Sequence, residues 1–401
     1  MSNDKLRIMQ ISAETLRFIR EHARDDVRTL ALQAKKYPQV DMAVAVTQIA
    51  GRQTAEAKLP TWAGVADVRY PKHLSMEQCS SEATARYKAT LVEGDTLVDL
   101  TGGFGIDCSF LSRRFRSSVY VERQEELCEL ARHNFPLLGL DIQVHHADGV
   151  SYLETMQPVD CIYLDPARRD GHGGKTVAIS DCEPNLCLLE DRLVQQAKTV
   201  LVKLSPMLDL SLALKELKHV AEAHVVTLHH DCKELLLLLR REASSDEVKI
   251  HCEQLLSSGE SRHFVFTQEQ ERTADCPLAA EVEEYLYEPN ASILKAGAYR
   301  SLTQDYPVKK LHPSSHLYTS ASSVPDFPGR CFKVKAVSGF GKKELKSFLQ
   351  GLEKANLTIR NFPSSVADLR KRLKLKEGGD DYLFATTLAD GSKVLVHCHK
   401  L

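Results

Sequence analysis

An aspartate and a proline stand together at the end of one of the short apolar runs of this chain. Asp165 and Pro166 directly follow the apolar segment 162–164, and Arg168 and Arg169 lie just beyond. A carboxylate held by a proline-containing backbone can accept a hydrogen bond from a planar amino group and take up its proton. Asp165 and Pro166 are therefore candidate catalytic residues, and Arg168 is a third. Arg168 is a candidate for positioning a substrate and Arg169 for binding it, because an arginine plane stacks on a base or pairs with phosphate; ordinary surface charge is the alternative.

A glycine-rich turn precedes this pair in the chain. The sequence DLTGGFG, from Asp99 to Gly105, follows a predicted strand and opens a predicted helix. Glycines at such a junction let the backbone turn sharply and approach a ligand without a Cβ in the way. The spacing differs from the G-x-G-x-x-G pattern of dinucleotide-binding proteins. Asp99, Thr101, Gly103 and Gly105 are candidate cofactor-binding residues, and a turn without a ligand is the alternative.

Further polar residues stand at or near predicted strand ends. Glu122 ends the second strand, where a carboxylate can accept hydrogen bonds from two ribose hydroxyls; a solvated strand end is the alternative. Asp148 closes the third strand and can also be the N-cap of the next helix. Ser81 and Glu82 precede the first strand. Small polar groups at this place can bind the ammonium and carboxylate of a ligand, and a helix cap is the alternative. Lys203 ends the fifth strand, either as a substrate contact or as a strand-end charge.

The order of the predicted elements brings these residues to one edge of a sheet. From 96 to 218, short apolar runs alternate with helical patterns, which predicts a parallel sheet covered by helices on both faces. In open α/β sheets, ligands bind outside the carboxyl ends of the strands, where the candidate residues stand. Four more runs between 223 and 267 are predicted as antiparallel strands, although the leucine run 235–239 also fits a buried helix.

The chain is long enough for several domains. A polar stretch at 259–277 and a short segment at 325–329 are predicted to separate them. We predict an N-terminal helical region at 1–93, a catalytic α/β domain at 94–272, a small unit at 277–325 and an α+β domain at 330–401. The small unit is predicted to contain a helix at 291–305, and the last domain helices at 342–355 and 366–375.

The net charge of −2 hides an uneven distribution. Residues 331–401 hold 14 lysines and arginines against 7 acidic residues, a net +7, while the other 330 residues carry a net −9. Four of these cations, Arg370, Lys371, Arg372 and Lys374, lie on the predicted helix 366–375. Such a cluster is a candidate for binding RNA phosphates with salt-sensitive affinity, and a solvated helix face is the alternative.

Composition narrows the class of protein. Hydrophobic residues make up 43% and charged residues 26%, ordinary values for a globular protein, which disfavours disordered or fibrous classes. No apolar run approaches the roughly 20 residues that span a bilayer, and the first residues show no signal-peptide core. Eleven cysteines without a C-x-x-C pair indicate reduced thiols. We therefore expect a cytoplasmic protein with no metal site and no membrane association; the oligomeric state stays open.

Several motifs together resemble one family. They are LSMEQCSSEATARYK at 74–88, DLTGGFGID at 99–107, YLDPARRD at 163–170, KLSPML at 203–208, YEPNASILKAG at 287–297 and RNFPSSVADLRKRLKL at 360–375. The chain resembles bacterial class I S-adenosylmethionine-dependent methyltransferases that carry a small ferredoxin-like unit and a C-terminal THUMP-like domain. The resemblance implies a Rossmann-like α/β catalytic sheet, an N-terminal helical region and two small C-terminal α+β modules. It also implies S-adenosylmethionine as cofactor, with Asp148 meeting its adenine amino group, and RNA (tRNA or rRNA) as partner, because THUMP domains bind RNA.

The segment around Asp165 resembles the (D/N)-P-P-(Y/F) motif of methyltransferases that act on planar nitrogens, and Asp165 then also borders the cofactor. It departs from that motif at Ala167, which replaces the second proline, and at Arg168, which replaces the aromatic residue. The sequence predicts a methyltransferase that acts on a base nitrogen of RNA. The alternatives are a methyltransferase for a protein or a small molecule, and a non-catalytic RNA-binding protein that keeps the fold.

Overall fold

In the computed structural model, the chain folds into two compact units. The structure describes residues 11–168, 178–243 and 248–401. Unit 1 comprises Met1–Ala223 and Glu234–Ser245, and unit 2 comprises His224–Lys233 and Asp246–Leu401. Within the described ranges, no helix is long and apolar enough to cross a membrane.

Unit 1 begins with helices whose starts follow from capping side chains. Its N-terminal helices are α1 (Ala13–Glu21), α2 (Val27–Leu32), α3 (Met42–Lys58), α4 (Pro60–Ala63), α5 (His73–Gln78) and α6 (Glu82–Thr90). Ser12, Asp26 and Asp41 each accept a hydrogen bond from the backbone N–H three residues later, as helix N-caps do. Phe18 and Ile49 belong to a common apolar core, through which α1 and α2 pack against α3.

Strands and helices then alternate as the sequence predicts. The elements are β1 (Gly94–Asp99), α7 (Ile106–Leu111), β2 (Phe115–Glu122), α8 (Glu125–Leu137), β3 (Ile142–His146), α9 (Gly149–Thr155), β4 (Val159–Leu164), β5 (Ala167–Arg168), β6 (Cys182–Glu183), α10 (Leu186–Gln196), β7 (Ala197–Leu204), α11 (Leu210–Glu216), β8 (Val220–Leu228) and β9 (Asp231–Leu239). Strands β8 and β9 cross the boundary between the units. The leucine run is therefore a strand, and each of its side chains is at most 1% exposed.

The sheet of unit 1 reverses direction at the place where a ligand is expected. Five parallel strands lie in the order β7, β4, β1, β2, β3, and β9 runs antiparallel beside β7. The chain moves outward from β1 to β3 and then returns to β4 on the other side of β1. The carboxyl ends of β1 and β4 therefore flank the switch point where open α/β sheets bind ligands.

Unit 2 is built mainly from antiparallel strands. Its elements are β10 (Lys249–Leu255), β11 (Ser261–Thr267), α12 (Gln268–Thr273), β12 (Tyr285–Pro289), α13 (Ala291–Ala296), α14 (Leu302–Asp305), β13 (Lys309–Lys310), β14 (Tyr318–Ser320), β15 (Gly329–Ser338), α15 (Lys342–Phe348), β16 (Asn356–Arg360), α16 (Val366–Leu373), β17 (Asp381–Thr387) and β18 (Lys393–Lys400). Seven strands form one sheet in the order β13, β14, β12, β15, β18, β17, β16, in which only the β16–β17 pairing is parallel.

Two local predictions for this unit are wrong. The helix predicted at 291–305 is two helices, because Gly297 adopts a left-handed φ of +82° after α13. The helix predicted at 342–355 ends at Phe348, and Gly351 has a φ of +81°. Gly297 ends α13 in this way because glycine adopts positive φ without steric cost.

The two C-terminal segments share a sheet. Strand β15 pairs with β12 on one side, from Tyr285 opposite Lys333 to Pro289 opposite Gly329. On its other side it pairs with β18. The segment at 325–329 therefore leads directly into a central strand, so the hydrogen bonding of the sheet is continuous across it.

Candidate functional site

The glycine turn after β1 is fixed against β2 by two hydrogen bonds. The N–H of Gly103 donates to Oε2 of Glu122 at 2.9 Å, and the Tyr120 hydroxyl donates to the Gly103 carbonyl. Gly103 and Gly105 have φ values of +54° and +86°, which favour glycine. A Cβ on Gly102 would lie 2.2 Å from the Tyr120 ring, so only glycine fits there. The turn is thus a rigid backbone cradle at the carboxyl end of β1.

Asp99 carries an unsatisfied buried oxygen beside this cradle. Its side chain is 1% exposed, and its Oδ1 accepts a hydrogen bond from the N–H of Thr101 at 3.0 Å. Among the described residues, its Oδ2 is buried without a hydrogen-bond partner. Burial raises the pKa of Asp99 well above its usual value, and the nearby carboxylates of Asp107 and Asp165 add to this effect. A buried acceptor of this kind fits a ligand that brings a hydrogen-bond donor or a positive charge.

Two further predicted cofactor residues lie at the ends of β2 and β3. Glu122 is buried, and its Oε1 accepts a hydrogen bond from the N–H of Gln124 at 2.8 Å. Each of its oxygens holds one backbone N–H and keeps capacity for a second donor. Asp148 is the N-cap of α9, because its Oδ1 accepts from the N–H of Ser151 at 3.0 Å. The capping role is therefore present, and the cofactor role stays a prediction.

Ser81 and Glu82 make structural contacts at the start of α6. Ser81 is its N-cap and accepts a hydrogen bond from the N–H of Thr84. Glu82 is buried, and its carboxylate accepts hydrogen bonds from the N–H and hydroxyl of Thr61 and from Arg86. These contacts tie α6 to α4. The predicted contact of the two residues with a cofactor stays a prediction.

Asp165 stands directly after β4, facing the turn that follows β1. Its N–H donates to Oγ1 of Thr101 at 2.6 Å, which ties the ends of the two strands together at the switch point. Pro166 is buried beside it. The backbone of Arg168 lies in β5, which pairs with β6, and Arg169 lies outside the described residues.

The predicted strand-end lysine is paired with the predicted catalytic carboxylate. Lys203 on β7 forms an ion pair with Oδ2 of Asp165, and its Nζ also lies 3.7 Å from Oδ2 of Asp107. Its side chain is 12% exposed. Burial lowers the pKa of Lys203, but the carboxylates of Asp165 and Asp107 outweigh burial and raise it above the usual value. Lys203 is therefore a fixed cation at this site.

A second buried lysine continues the chain of charges. Asp107 accepts hydrogen bonds from the hydroxyls of Ser80 and Tyr163, both at 2.7 Å, and lies 3.2 Å from Nζ of Lys88. Lys88 is fully buried and contacts the two carboxylate oxygens of Glu234 at 2.6 and 2.7 Å. Burial raises the pKa of Asp107, but Lys88 and Lys203 outweigh it and lower the value. Two lysines and three carboxylates thus alternate from β9 to the end of β4.

Sequence reasoning missed most of this charge chain. It did not single out Lys88, Glu234, Tyr163 or Tyr120. Two of them carried a signal, since Lys88 lies on the apolar face of α6 beside Ala85, and Glu234 directly precedes the leucine run. A charge placed inside an apolar pattern is a candidate for a buried ion pair.

The predicted basic helix exists and presents its cations to solvent. Lys371, Arg372 and Lys374 are exposed, whereas Arg370 is half-buried and donates a hydrogen bond to the carbonyl of Ala355. The apolar side of the helix belongs to a core formed by leucines and other apolar residues, among them Leu369, Leu373 and Leu375. On the neighbouring helix α15, three lysines are also exposed: Lys342, Lys343 and Lys346.

Comparisons with known proteins agree with this architecture. A ferredoxin-like domain model matches residues 285–328, and a THUMP domain-like model matches 329–400. A solved structure from Porphyromonas gingivalis W83, described as a "putative methyltransferase", is 37% identical with a TM-score of 0.87. It covers 100% of this chain, which in turn covers 98% of it. A Mycobacterium tuberculosis H37Rv protein, described as an uncharacterized S-adenosylmethionine-dependent methyltransferase, is 24% identical over 328 residues, 79% of this chain and 84% of that protein.

The chain belongs to this methyltransferase family. It is an S-adenosylmethionine-dependent methyltransferase with a ferredoxin-like and a THUMP-like domain at its C-terminus. The predictions of a class I Rossmann-like fold, of enzymatic activity and of S-adenosylmethionine as cofactor are confirmed. The interpretation as a non-catalytic protein is not supported.

Proposed function

We propose that this methyltransferase modifies a base nitrogen of tRNA or rRNA. The observation that carries the proposal is the exposed row of cations on α16, which lies in the segment matched by the THUMP-like model. A surface of this kind neutralises phosphates independently of base sequence, so it suits an RNA substrate held at a distance from the reacting base. Because the other residues of the chain carry a net negative charge, we expect the phosphate contacts to be confined to the basic C-terminal domain.

The switch point of the sheet fits the cofactor. S-adenosylmethionine brings an ammonium, a ribose diol, an adenine amine and an electrophilic methyl group. The orphaned oxygen of Asp99 suits a donor or cation. At Gly103, a Cβ would meet nothing closer than the carbonyl oxygen of Thr101 at 3.8 Å, so the backbone leaves space there for a ligand. Glu122 keeps acceptor capacity for two hydroxyls.

Asp165 is the proposed acceptor site for the substrate amine. Its carboxylate stands at the carboxyl end of β4 with the side chain 36% exposed, so that a substrate can reach it. Hydrogen bonds from the amino group to this carboxylate and to the Pro166 region would aim the nitrogen, and the carboxylate would take up the released proton. Arg168 and Arg169 are proposed to position the base or its phosphate, and Asp148 to meet the adenine.

The direct test is methyl transfer to RNA from cells that lack the gene. The purified enzyme and S-adenosylmethionine carrying a labelled methyl group are incubated with total tRNA, total rRNA and total protein from such cells. We expect label in one RNA fraction, and none in the same fraction from cells that carry the gene, where the site is already methylated. Mass spectrometry of the digested nucleosides then identifies the modified base. Label in protein or in small molecules with none in RNA would contradict the proposal.

The contribution of the basic surface is tested with two matched double variants. Lys371→Ala with Lys374→Ala removes two exposed cations of the α16 region, and Lys393→Ala with Lys400→Ala removes two exposed cations of β18. For the first variant, we expect a higher KM for RNA and a plot of log affinity against log salt that is shallower by about 2, roughly 0.9 per lost phosphate contact. The value of kcat should stay unchanged. Equal behaviour of the two variants would contradict an RNA contact at α16.

A further inference from the structure

We propose that Lys203 is a positioning residue for methyl transfer, which holds the Asp165 carboxylate in the orientation that the acceptor amine requires. The proposal rests on the proposed function of Asp165 as the acceptor of the amine hydrogen. It differs from the expectation that Lys203 touches the substrate, because here the lysine acts through the carboxylate.

The geometry of the pair leaves one carboxylate oxygen for the substrate. Strands β4 and β7 are parallel neighbours, with Leu164 opposite Val202, so Asp165 and Lys203 follow at the same edge. The lysine is 12% exposed and closes one side of the carboxylate, which is itself 36% exposed. The contact uses Oδ2, and in the described part of the chain no hydrogen bond reaches Oδ1. Oδ1 is therefore the oxygen that can face an amine.

A free lysine would position nothing, because its four-carbon stem is flexible and its rotamers are costly to fix. Lys203 is held from behind by Asp107, which is itself held by Ser80, Tyr163 and Lys88. Lys88 is in turn anchored on Glu234. Lys203 is therefore held between the carboxylates of Asp107 and Asp165. Its removal would leave these two carboxylates facing each other without a cation between them.

The local sequence explains why such support is needed at this position. The related (D/N)-P-P-(Y/F) motif has two prolines to stiffen the backbone after the acidic residue, whereas Ala167 follows Pro166 in this chain. A backbone with one proline fewer is less restricted. The ion pair with Lys203 supplies from the side chain the restraint that the second proline would supply from the backbone.

Other titratable groups face the pair and define its electrostatic setting. They are Asp107 on α7, Asp99 on β1, Tyr163 on β4, Cys79 after α5, Glu234 on β9 and Lys88 on α6. Apart from Lys203 and Lys88, each of these groups is neutral or negative. Removal of the Lys203 charge therefore makes the surroundings of Asp165 more negative and leaves its carboxylate without the cation that holds it.

The test compares three lysine variants. Lys203→Met removes the charge and keeps the length, and Lys203→Arg keeps the charge. Lys198→Met is the matched control, because Lys198 lies on the same strand and pairs with Asp160 at 2.6 Å but is 82% exposed. Each enzyme is measured for kcat and KM with its RNA substrate and for the Kd of S-adenosylmethionine by calorimetry.

For Lys203→Met, we expect kcat to fall about 100-fold, the loss that follows from misplacing a reacting group by about 1 Å. KM and the cofactor Kd should stay within about twofold, because the lysine acts on the reacting geometry and not on binding. Lys203→Arg should recover most of kcat, and Lys198→Met should match the wild type. A kcat of Lys203→Met equal to the control, or a Lys203→Arg enzyme as impaired as Lys203→Met, would overturn the proposal. If wild-type enzyme methylates no RNA, the proposed function fails instead.

Discussion

The buried pair of Lys88 and Glu234 allows a sharp prediction about stability. Replacement of Lys88 by methionine removes the ammonium and keeps a side chain of similar length. In the native structure that ammonium is fully buried and lies within 3.2 Å of oxygens on Glu234, Asp107 and Ser80. Its loss leaves the Glu234 carboxylate buried with no counter-charge and takes one of two lysines from Asp107.

The size of the effect follows from burial. Removing one partner of a buried ion pair costs about 3–5 kcal/mol of unfolding free energy, because the remaining charge stays desolvated. For a unit of this size, each kcal/mol lowers the melting temperature by about 2–4 °C, so the shift is on the order of 10 °C. The pair of Lys198 and Asp160 has an equal N–O distance of 2.6 Å, but Lys198 is 82% exposed. Water screens that charge, so loss of Lys198 should change the unfolding free energy far less than loss of Lys88.

Fluorescence of Trp62 provides the assay. It is the single tryptophan of the chain, is 1% exposed in unit 1, and its ring centroid lies 5.0 Å from that of Phe104. Urea unfolding followed at this residue therefore reports on the unit that contains the charge chain. The double variant Lys88→Met, Glu234→Leu should recover part of the loss, since it removes the unpaired carboxylate. A loss for Lys88→Met within about 1 kcal/mol of the loss for Lys198→Met would refute the reasoning.

Two further predictions concern the cofactor cradle. Asp99→Asn should stabilise the ligand-free enzyme by about 1–3 kcal/mol near pH 8, because it removes a buried, unsatisfied carboxylate. Since the folded-state pKa of Asp99 is raised, this gain should shrink as pH falls towards about 4, where the unfolded carboxyl is protonated as well. Calorimetry should show lost binding of S-adenosylmethionine in this variant, and retained binding with unchanged stability would contradict the assignment. Gly105→Ala should raise the cofactor Kd at least tenfold, because φ is +86° and a Cβ would lie 2.8 Å from the Phe135 ring. Gly139→Ala is the control, because Gly139 has a φ of +70° but a Cβ there would meet no atom within 4 Å, so this variant carries backbone strain alone. An equal change of the cofactor Kd in both variants would exclude a role of the contact with Phe135.

The sequence predicts the part of the site that depends on local pattern. The alternation of strands and helices predicts the parallel sheet, and carboxylates at strand ends then fall at one edge, as Asp99, Glu122 and Asp165 do. The helix cap at Ser81 and the apolar face of α16 also follow from local pattern.

The rest depends on contacts between distant residues. Lys88 and Glu234 are separated by 146 positions, so their pairing is fixed by the tertiary fold. The same holds for Lys203 and Asp107, whose side chains meet because β7 ends and α7 begins at the same edge. The helix ends at Gly297 and after Phe348 were not predicted, because the helical spacing of apolar residues in the sequence continues beyond the last helical residue.

The border between the two C-terminal family matches falls just before a central strand of a single sheet. Two separate family models match residues 285–328 and 329–400. Strand β15 nevertheless hydrogen-bonds to β12 of the first segment and to β18 of the second. A chain cut at this border would leave a row of backbone N–H and C=O groups unpaired on each half. Such an exposed sheet edge can pair with other chains and promotes aggregation. The family models and the sheet thus divide this region differently, because β15, which opens the second segment, completes its hydrogen bonding on β12 of the first.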